Sequence, residues 1–291
     1  MYLKKTVTLC ILSSLAMLTA CGGGGSSDDK YQSSPASLSN TELAQVAAAI
    51  QAAKTTFEAV SYDGEYTISN AISERDVNKD ISCRSGSYRV TPNSNTPYGF
   101  DGRVQNKNCL TSTSKWDGAI EIECLDAKCD KSITTSTGAV WGDLNRKVDL
   151  KINGDVYSDS KEVGFKGVAA INIAGVETRF DFAADGLVNK YIADNLQDGF
   201  GRLTIDNNNN RCIAGTYAYQ VKSYLVEAKD SARLVKGEIA VLDAKDREVG
   251  RVQFNDDGGV STIDRSGKKE NFSITQFERY CGLSEAYRFS S

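Results

Sequence analysis

The sequence predicts a mainly β fold, an antiparallel sheet of about a dozen strands with one N-terminal helix. Three observations carry that prediction. Residues from Tyr62 onward alternate apolar and polar with a period of two, turn-forming clusters interrupt that pattern at regular intervals, and only one stretch, from Ser39 to Val60, repeats with helical spacing. The folded part is expected over residues 38–291 as a single domain. Its sheet has three candidate forms: open, sandwich or barrel-like.

The first twenty residues do not belong to that domain. Lys4 and Lys5 precede an apolar run from Val7 to Leu18, with no acidic residue among them. This is the plan of a secretory leader, residues 1–20, and the run is too short to span a bilayer, which needs about 20 residues. The stretch "LTACGGGGSSDD" follows. Gly22 to Gly25, Ser26, Ser27, Asp28 and Asp29 bury too little apolar area to offset chain entropy, so residues 21–37 read as a flexible tether with an r.m.s. span of roughly 20 to 24 Å.

The helix opens at "SLSNTELAQVAAAIQAAKTTFEAV". Ser39 and Glu42 fit a capping box. Leu43, Val46, Ala47, Ile50, Phe57 and Val60 form one apolar stripe, expected to pack on the sheet. A membrane-surface helix would be basic, whereas this one sets Lys54 against Glu42 and Glu58.

The strands follow in order. "KVDLKINGDVY" alternates Val148, Leu150 and Ile152 with Asp149 and Lys151, and its Asn153-Gly154 is a strong hairpin signal. "AINIAG", "TRFDFAAD", "GRLTID", "GTYAYQV", "GEIAVLD", "GRVQF" and "GVSTID" are further strands, separated by "DNNNN", "DAKDRE", "NDDGG" and "DRSGKK". A weak echo links "CRSGSY" (83–88) to "CIAGTY" (212–217), and "GRVQ" occurs at 102–105 and 250–253. The two offsets disagree. The echo leaves open both a duplicated half carrying an insertion and chance.

Eight cysteines divide by position. Cys10 leaves with the leader, Cys21 stands at its end, and Cys83, Cys109, Cys124, Cys129, Cys212 and Cys281 remain. An even number in an exported chain reads as three disulfides, although six cysteines alone allow 15 pairings. Cys124 and Cys129 flank the four-residue "LDAK", a hairpin-length loop that brings its ends within bridging distance. The echo suggests Cys83 with Cys109 and Cys212 with Cys281, each within its own half.

Most chemistry is excluded by one absence: the chain has no histidine. Serine and cysteine nucleophile systems that depend on it are removed, with histidine-ligated zinc, haem and iron. Ser-x-x-Lys, as in "STSK" (112–115), recurs at 27–30, 158–161 and 266–269 without its partner motifs, which marks it as noise in a Ser- and Lys-rich chain. "DVNKD" (76–80) begins like a calcium loop, but Ile81 and Ser87 stand where glycine and glutamate are needed. No catalytic residue, metal site or cofactor is therefore expected. The formal net charge of −4 becomes −6 once Lys4 and Lys5 leave, which argues against nucleic acid as a partner. "TPNSNTPYGF" (91–100) places Tyr98 and Phe100 beside two prolines, a candidate binding loop.

Leu18-Thr19-Ala20-Cys21 resembles the lipobox of bacterial lipoproteins. The resemblance implies cleavage before Cys21, which then carries diacylglycerol and a further acyl chain of the palmitate kind. Glycine after the lipidated cysteine resembles lipoproteins sent on to the outer membrane of Gram-negative bacteria, facing either the periplasm or the exterior. "LTACGGGGSS" is similar to the opening of surface lipoproteins that capture host factors or nutrients. The resemblance covers about the first 25 residues and none of the domain. The resulting expectation is a non-enzymatic envelope module that binds or scaffolds, its partner an envelope protein, glycan or lipid. Two alternatives are a lipid or glycolipid carrier using an apolar sheet face and a carboxylate-based glycan hydrolase.

Overall fold

The structure, a computed structural model, describes residues 37–93, 101–159, 162–192, 195–207, 211–228, 233–243 and 245–289. Cys21 and the tether, and Tyr98 and Phe100 of the proline-bearing loop, lie outside the described residues.

Among the described residues, one long helix, α1 (Asn40–Ser73), is followed by fourteen strands and two short helices. The first seven strands are β1 (Asp80–Ser82), β2 (Ser85–Pro92), β3 (Gly102–Leu110), β4 (Ser114–Cys124), β5 (Ser132–Asp143), β6 (Val148–Ser158) and β7 (Glu162–Ile173). Next come β8 (Val176–Ile192), β9 (Asn195–Asn207), β10 (Gly215–Glu227), β11 (Leu234–Leu242), β12 (Glu248–Phe254), β13 (Val260–Asp264) and β14 (Lys269–Phe272). The chain closes with α2 (Ile274–Phe277) and α3 (Leu283–Phe289). All fourteen strands form one open antiparallel sheet in strict sequence order, so each strand pairs only with its chain neighbours. Its edges, β1 and β14, are three and four residues long, which limits the unpaired backbone they present.

The sheet coils around α1. The helix touches β2 to β7 on one side and β11 to β14 on the other, so most of the sheet's inner face packs against it. This changes the expected burial of α1. Instead of one apolar stripe, Leu43 to Val60 is buried almost all round, with Gln51, Lys54, Thr55 and Thr56 buried beside the apolar residues. The alanines at 44, 47, 48, 49, 52 and 53 make this possible, since short side chains let strands close in from several directions. The Ser39–Glu42 capping box is present: the Glu42 amide donates to Ser39 Oγ, and the Ser39 amide donates to Glu42 Oε2 at 2.7 Å.

Two sequence expectations are corrected. The period was expected to change at Tyr62, but α1 runs on to Ser73, through Gly64. Glycine weakens a helix interior, yet here it makes room: a Cβ at Gly64 would stand 2.7 Å from Ile120 Cγ2 on β4. Asn153-Gly154 was expected to turn the chain, but it lies mid-strand in β6, held by eleven consecutive pairs to β7. Gly154 faces Gly167, and a Cβ at Gly154 would meet Lys166 O at 2.1 Å, so the two glycines let the backbones approach where the sheet bends. Asn153 Oδ1 accepts from the Gly138 amide of β5. Register shifts beside Gly118, Gly138 and Gly167 interrupt the pairing of β4 with β5, β5 with β6 and β7 with β8.

The three disulfides join Cys83 with Cys109, Cys124 with Cys129, and Cys212 with Cys281, the expected pairing, with Cα separations of 5.4, 4.8 and 4.7 Å. The echo motifs sit differently. "GRVQ" falls on the strand after "CRSGSY" but on the second strand after "CIAGTY", so relative to those motifs its two copies run in opposite directions. The one expected N-terminal helix is α1, and the short α2 and α3 had not been expected. Ser273 and Gln276 form a second capping box at α2, and Leu283, Ala286 and Tyr287 bury α3, which packs against α1.

Candidate functional site

The sheet covers the first half of α1 and leaves one face of the second half open. Tyr62 and Tyr66 are 70% and 59% exposed, in contrast to the fully buried residues two turns earlier. Between this part of α1 and the inner faces of β1 to β5 lies a cleft of about 440 Å³, within the range of small-molecule sites. Elsewhere along α1 the inner apolar faces of β6, β7 and β11 to β14 pack against helix side chains.

Each wall of the cleft is placed by a specific element. The extension of α1 contributes Asp63, Gly64, Tyr66, Thr67 and Asn70, and Glu74 and Asp76 follow at its end. Strands β2 to β5 contribute Tyr88, Asn106, Trp116, Asp117 and Trp141, with Val60, Val104, Ile120 and Val140 forming apolar ground between them. Both tryptophans of the chain line this one cleft. The Cys83–Cys109 disulfide also borders it, tying the β1–β2 turn to β3. Trp141 is held from behind by an edge-on contact with Phe289 of α3, ring centres 4.9 Å apart.

The electrostatics of the cleft are one-sided. Asp63, Glu74, Asp76 and Asp117 line it, and among the described residues no lysine or arginine does. Burial pushes the Asp63 carboxyl up to about 6. The Trp116 indole draws it partly back, although its buried Nε1 completes no hydrogen bond. The Tyr88 phenol is also raised, by burial first and then by Asp76 and Glu74. Asp117 Oδ1 accepts from the Asn108 amide at 3.1 Å, and Asp76 pairs outward with Lys79.

The Asp63 shift implies a pH-dependent stability. Its carboxyl holds a proton up to about 6 in the folded protein, against 3.8 ordinarily, so the folded state binds more protons across that window. Stability is greatest below it and falls as pH rises through it, by about 2 kcal/mol after allowance for partial exposure. Tyr88 and Asp117 of the strands and Glu74 and Asp76 at the end of α1 line the same cleft as Asp63 and carry no positive charge to reverse the sign. Asp63→Asn is therefore expected to exceed the parent in stability above about pH 6 and to match it below about pH 4 in urea titrations. Equal stability of the two proteins at neutral pH would show that Asp63 is not desolvated.

The residues considered for other chemistry do not converge. Ser112 sits exposed in the β3–β4 turn, and Lys115 Nζ is bound to Asp149 Oδ2 at 2.8 Å, so "STSK" offers no lysine base. Cys124 and Cys129 are consumed by their disulfide, and among the described residues no group of His, Cys, Asp or Glu has the geometry of a metal centre. A second ionic cluster lies in the core. Lys54, 3% exposed, pairs with Glu58 at 2.7 Å and with Glu227 of β10, and burial raises the Glu58 carboxyl despite Lys54. This cluster fastens α1 to β10 and reads as structural.

Val60, Asp76, Cys83, Tyr88 and Cys109 stood out in the sequence for other reasons, and no sequence signal marked the lining residues as one site. Beyond Val60 the residues that line it from α1 fell in the stretch read as alternating with a period of two, and the acids and aromatics of β2 to β5 come together only through the coil of the sheet. The chain matches no protein-family model, and no curated protein is similar to it.

Proposed function

We propose that this protein is a lipid-anchored envelope module that binds its ligand, without transforming it, in the cleft beside the second half of α1. The observation that carries the reading is the gathering of Trp116, Trp141, Tyr66 and Tyr88 around one concave site at the place where the sheet leaves α1 uncovered. Aromatic walls with a few polar groups are what an organic ligand needs, and no nucleophile and base are paired there. Leu18-Thr19-Ala20-Cys21 supports attachment through Cys21, and the glycine tether supports a domain held off the membrane surface, on either face of the outer membrane. No helix among the described residues is long and apolar enough to cross a bilayer.

Two experiments test the two parts. Cys21→Ser is expected to leave an uncleaved or mislocalised precursor, and a processed, membrane-fractionating variant would refute the anchor. For the cleft, a photo-crosslinking residue at position 66 of the full-length anchored protein is expected to give a discrete adduct in envelopes. The same residue at position 224, equally exposed on β10, serves as the control. Indistinguishable products from the two positions would refute the cleft as the binding site.

A further inference from the structure

The cleft has a chemical bias that its shape alone does not set. Among the described residues no lysine or arginine lines it, whereas four acids do. Of the basic side chains near these residues in sequence, three are engaged elsewhere, while Arg75, Arg84 and Lys107 are not among the lining residues. Lys115 is bound to Asp149, Arg89 donates to the Asn78 carbonyl, and Arg103 lies between Gln105 and Glu121. Lys79 meets Asp76 at the rim and offsets one of the four charges. The remaining carboxylates, Asp63, Glu74 and Asp117, line the cleft, and no cationic side chain among the described residues does.

We propose that the ligand of this cleft is an organic ammonium compound, a quaternary or alkylated amine on an apolar body, held between the indole and phenol rings and the Asp63 and Asp117 carboxylates. The inference rests on the reading of the cleft as a ligand site and specifies its substrate class. Aromatic faces attract a soft, weakly hydrated cation without demanding directed hydrogen bonds, and carboxylates beside them supply the counter-charge. The apolar ground of Val60, Val104, Ile120 and Val140 suits the body of such a molecule. An anion would meet repulsion from the walls. A bare metal ion would need converging oxygen ligands, and the described residues hold no such group. A neutral sugar would find stacking surfaces but would leave the carboxylates without a counter-charge. The raised Asp63 fits the same picture, since a bound cation would offset the burial that now disfavours its ionised form.

The test uses the full mature protein, with choline and benzyltrimethylammonium as cationic probes and 3,3-dimethylbutan-1-ol as the neutral isostere of choline. Binding is followed by calorimetry and by tryptophan fluorescence, which reports this cleft alone because both tryptophans line it. At about pH 8 and low salt, choline is expected to bind about tenfold more tightly than its isostere. Asp63→Asn and Asp117→Asn are each expected to weaken both cations severalfold. Asp63→Asn removes a desolvated charge and keeps the fold, so weakened binding in a variant of equal or greater stability cannot be attributed to unfolding. Equal affinity for choline and its isostere, unchanged affinity in both variants, or no binding of either cation would each overturn the cationic class. A methyl glycoside that binds where the cations do not would overturn it as well, while leaving the cleft as the ligand site. An absence of position-specific crosslinking from residue 66 would instead remove the cleft reading.

Discussion

Replacing Cys212 and Cys281 together by alanine is expected to lower the free energy of unfolding by about 4 kcal/mol, the largest loss from any of the three disulfides. The loop it closes is the longest, with a sequence separation of 69 against 26 and 5 for the others. Loop-closure entropy ranks the corresponding losses at about 3.5 kcal/mol for Cys83–Cys109 and about 2 kcal/mol for Cys124–Cys129. Structure adds to entropy here. Cys281 immediately precedes α3, whose Leu283, Ala286 and Tyr287 are buried and which supports Trp141 through Phe289, so the bridge also holds the C-terminal cover of α1 in place. Equilibrium denaturation of the three paired variants gives the ranking directly. If the Cys124/Cys129 variant lost as much as the Cys212/Cys281 variant, chain entropy would not govern these bridges.

Phe57→Ala is expected to cost about 3 to 5 kcal/mol. Phe57 is fully buried midway along α1, with its ring centre 5.6 Å from Phe165 of β7 and 5.8 Å from Phe182 of β8. Truncation leaves a void bounded by two other aromatics anchored in separate strands. Neither can move far without disturbing the pairing of β7 with β8. Phe57→Leu, which keeps most of the volume, should lose much less. The check is the midpoint and slope of denaturant unfolding for both variants. A loss below about 1 kcal/mol for Phe57→Ala would mean that α1 is not clasped by the sheet at this level.

The outer features of the fold were legible because their signals are local. The Ser39–Glu42 cap is made within four residues, the strand alternation needs only neighbours, and the "LDAK" loop brings Cys124 and Cys129 together by its length. Where a local signal competed with distant packing, the packing won. Gly64 weakens a helix in isolation, but Ile120, 56 positions later in the chain, needs the space that glycine leaves. Asn153-Gly154 favours a two-residue turn in isolation, yet turning there would break the pairs that join β6 to β7 over its whole length.

The sequence by itself determined a capped helix and a succession of antiparallel strands stapled by three disulfides. Only the tertiary structure decided that the sheet coils around the helix and that α1 reaches Ser73. It alone brings Asp63, Tyr66, Tyr88, Trp116 and Trp141 to one cleft. The reason is that curvature accumulates strand by strand from twist, bulges and close glycine contacts, each set by a partner strand rather than by its own residues. A site assembled from the inner faces of β1 to β5 and the far end of a helix therefore has no local sequence signature; it exists only once the sheet has closed partway around α1.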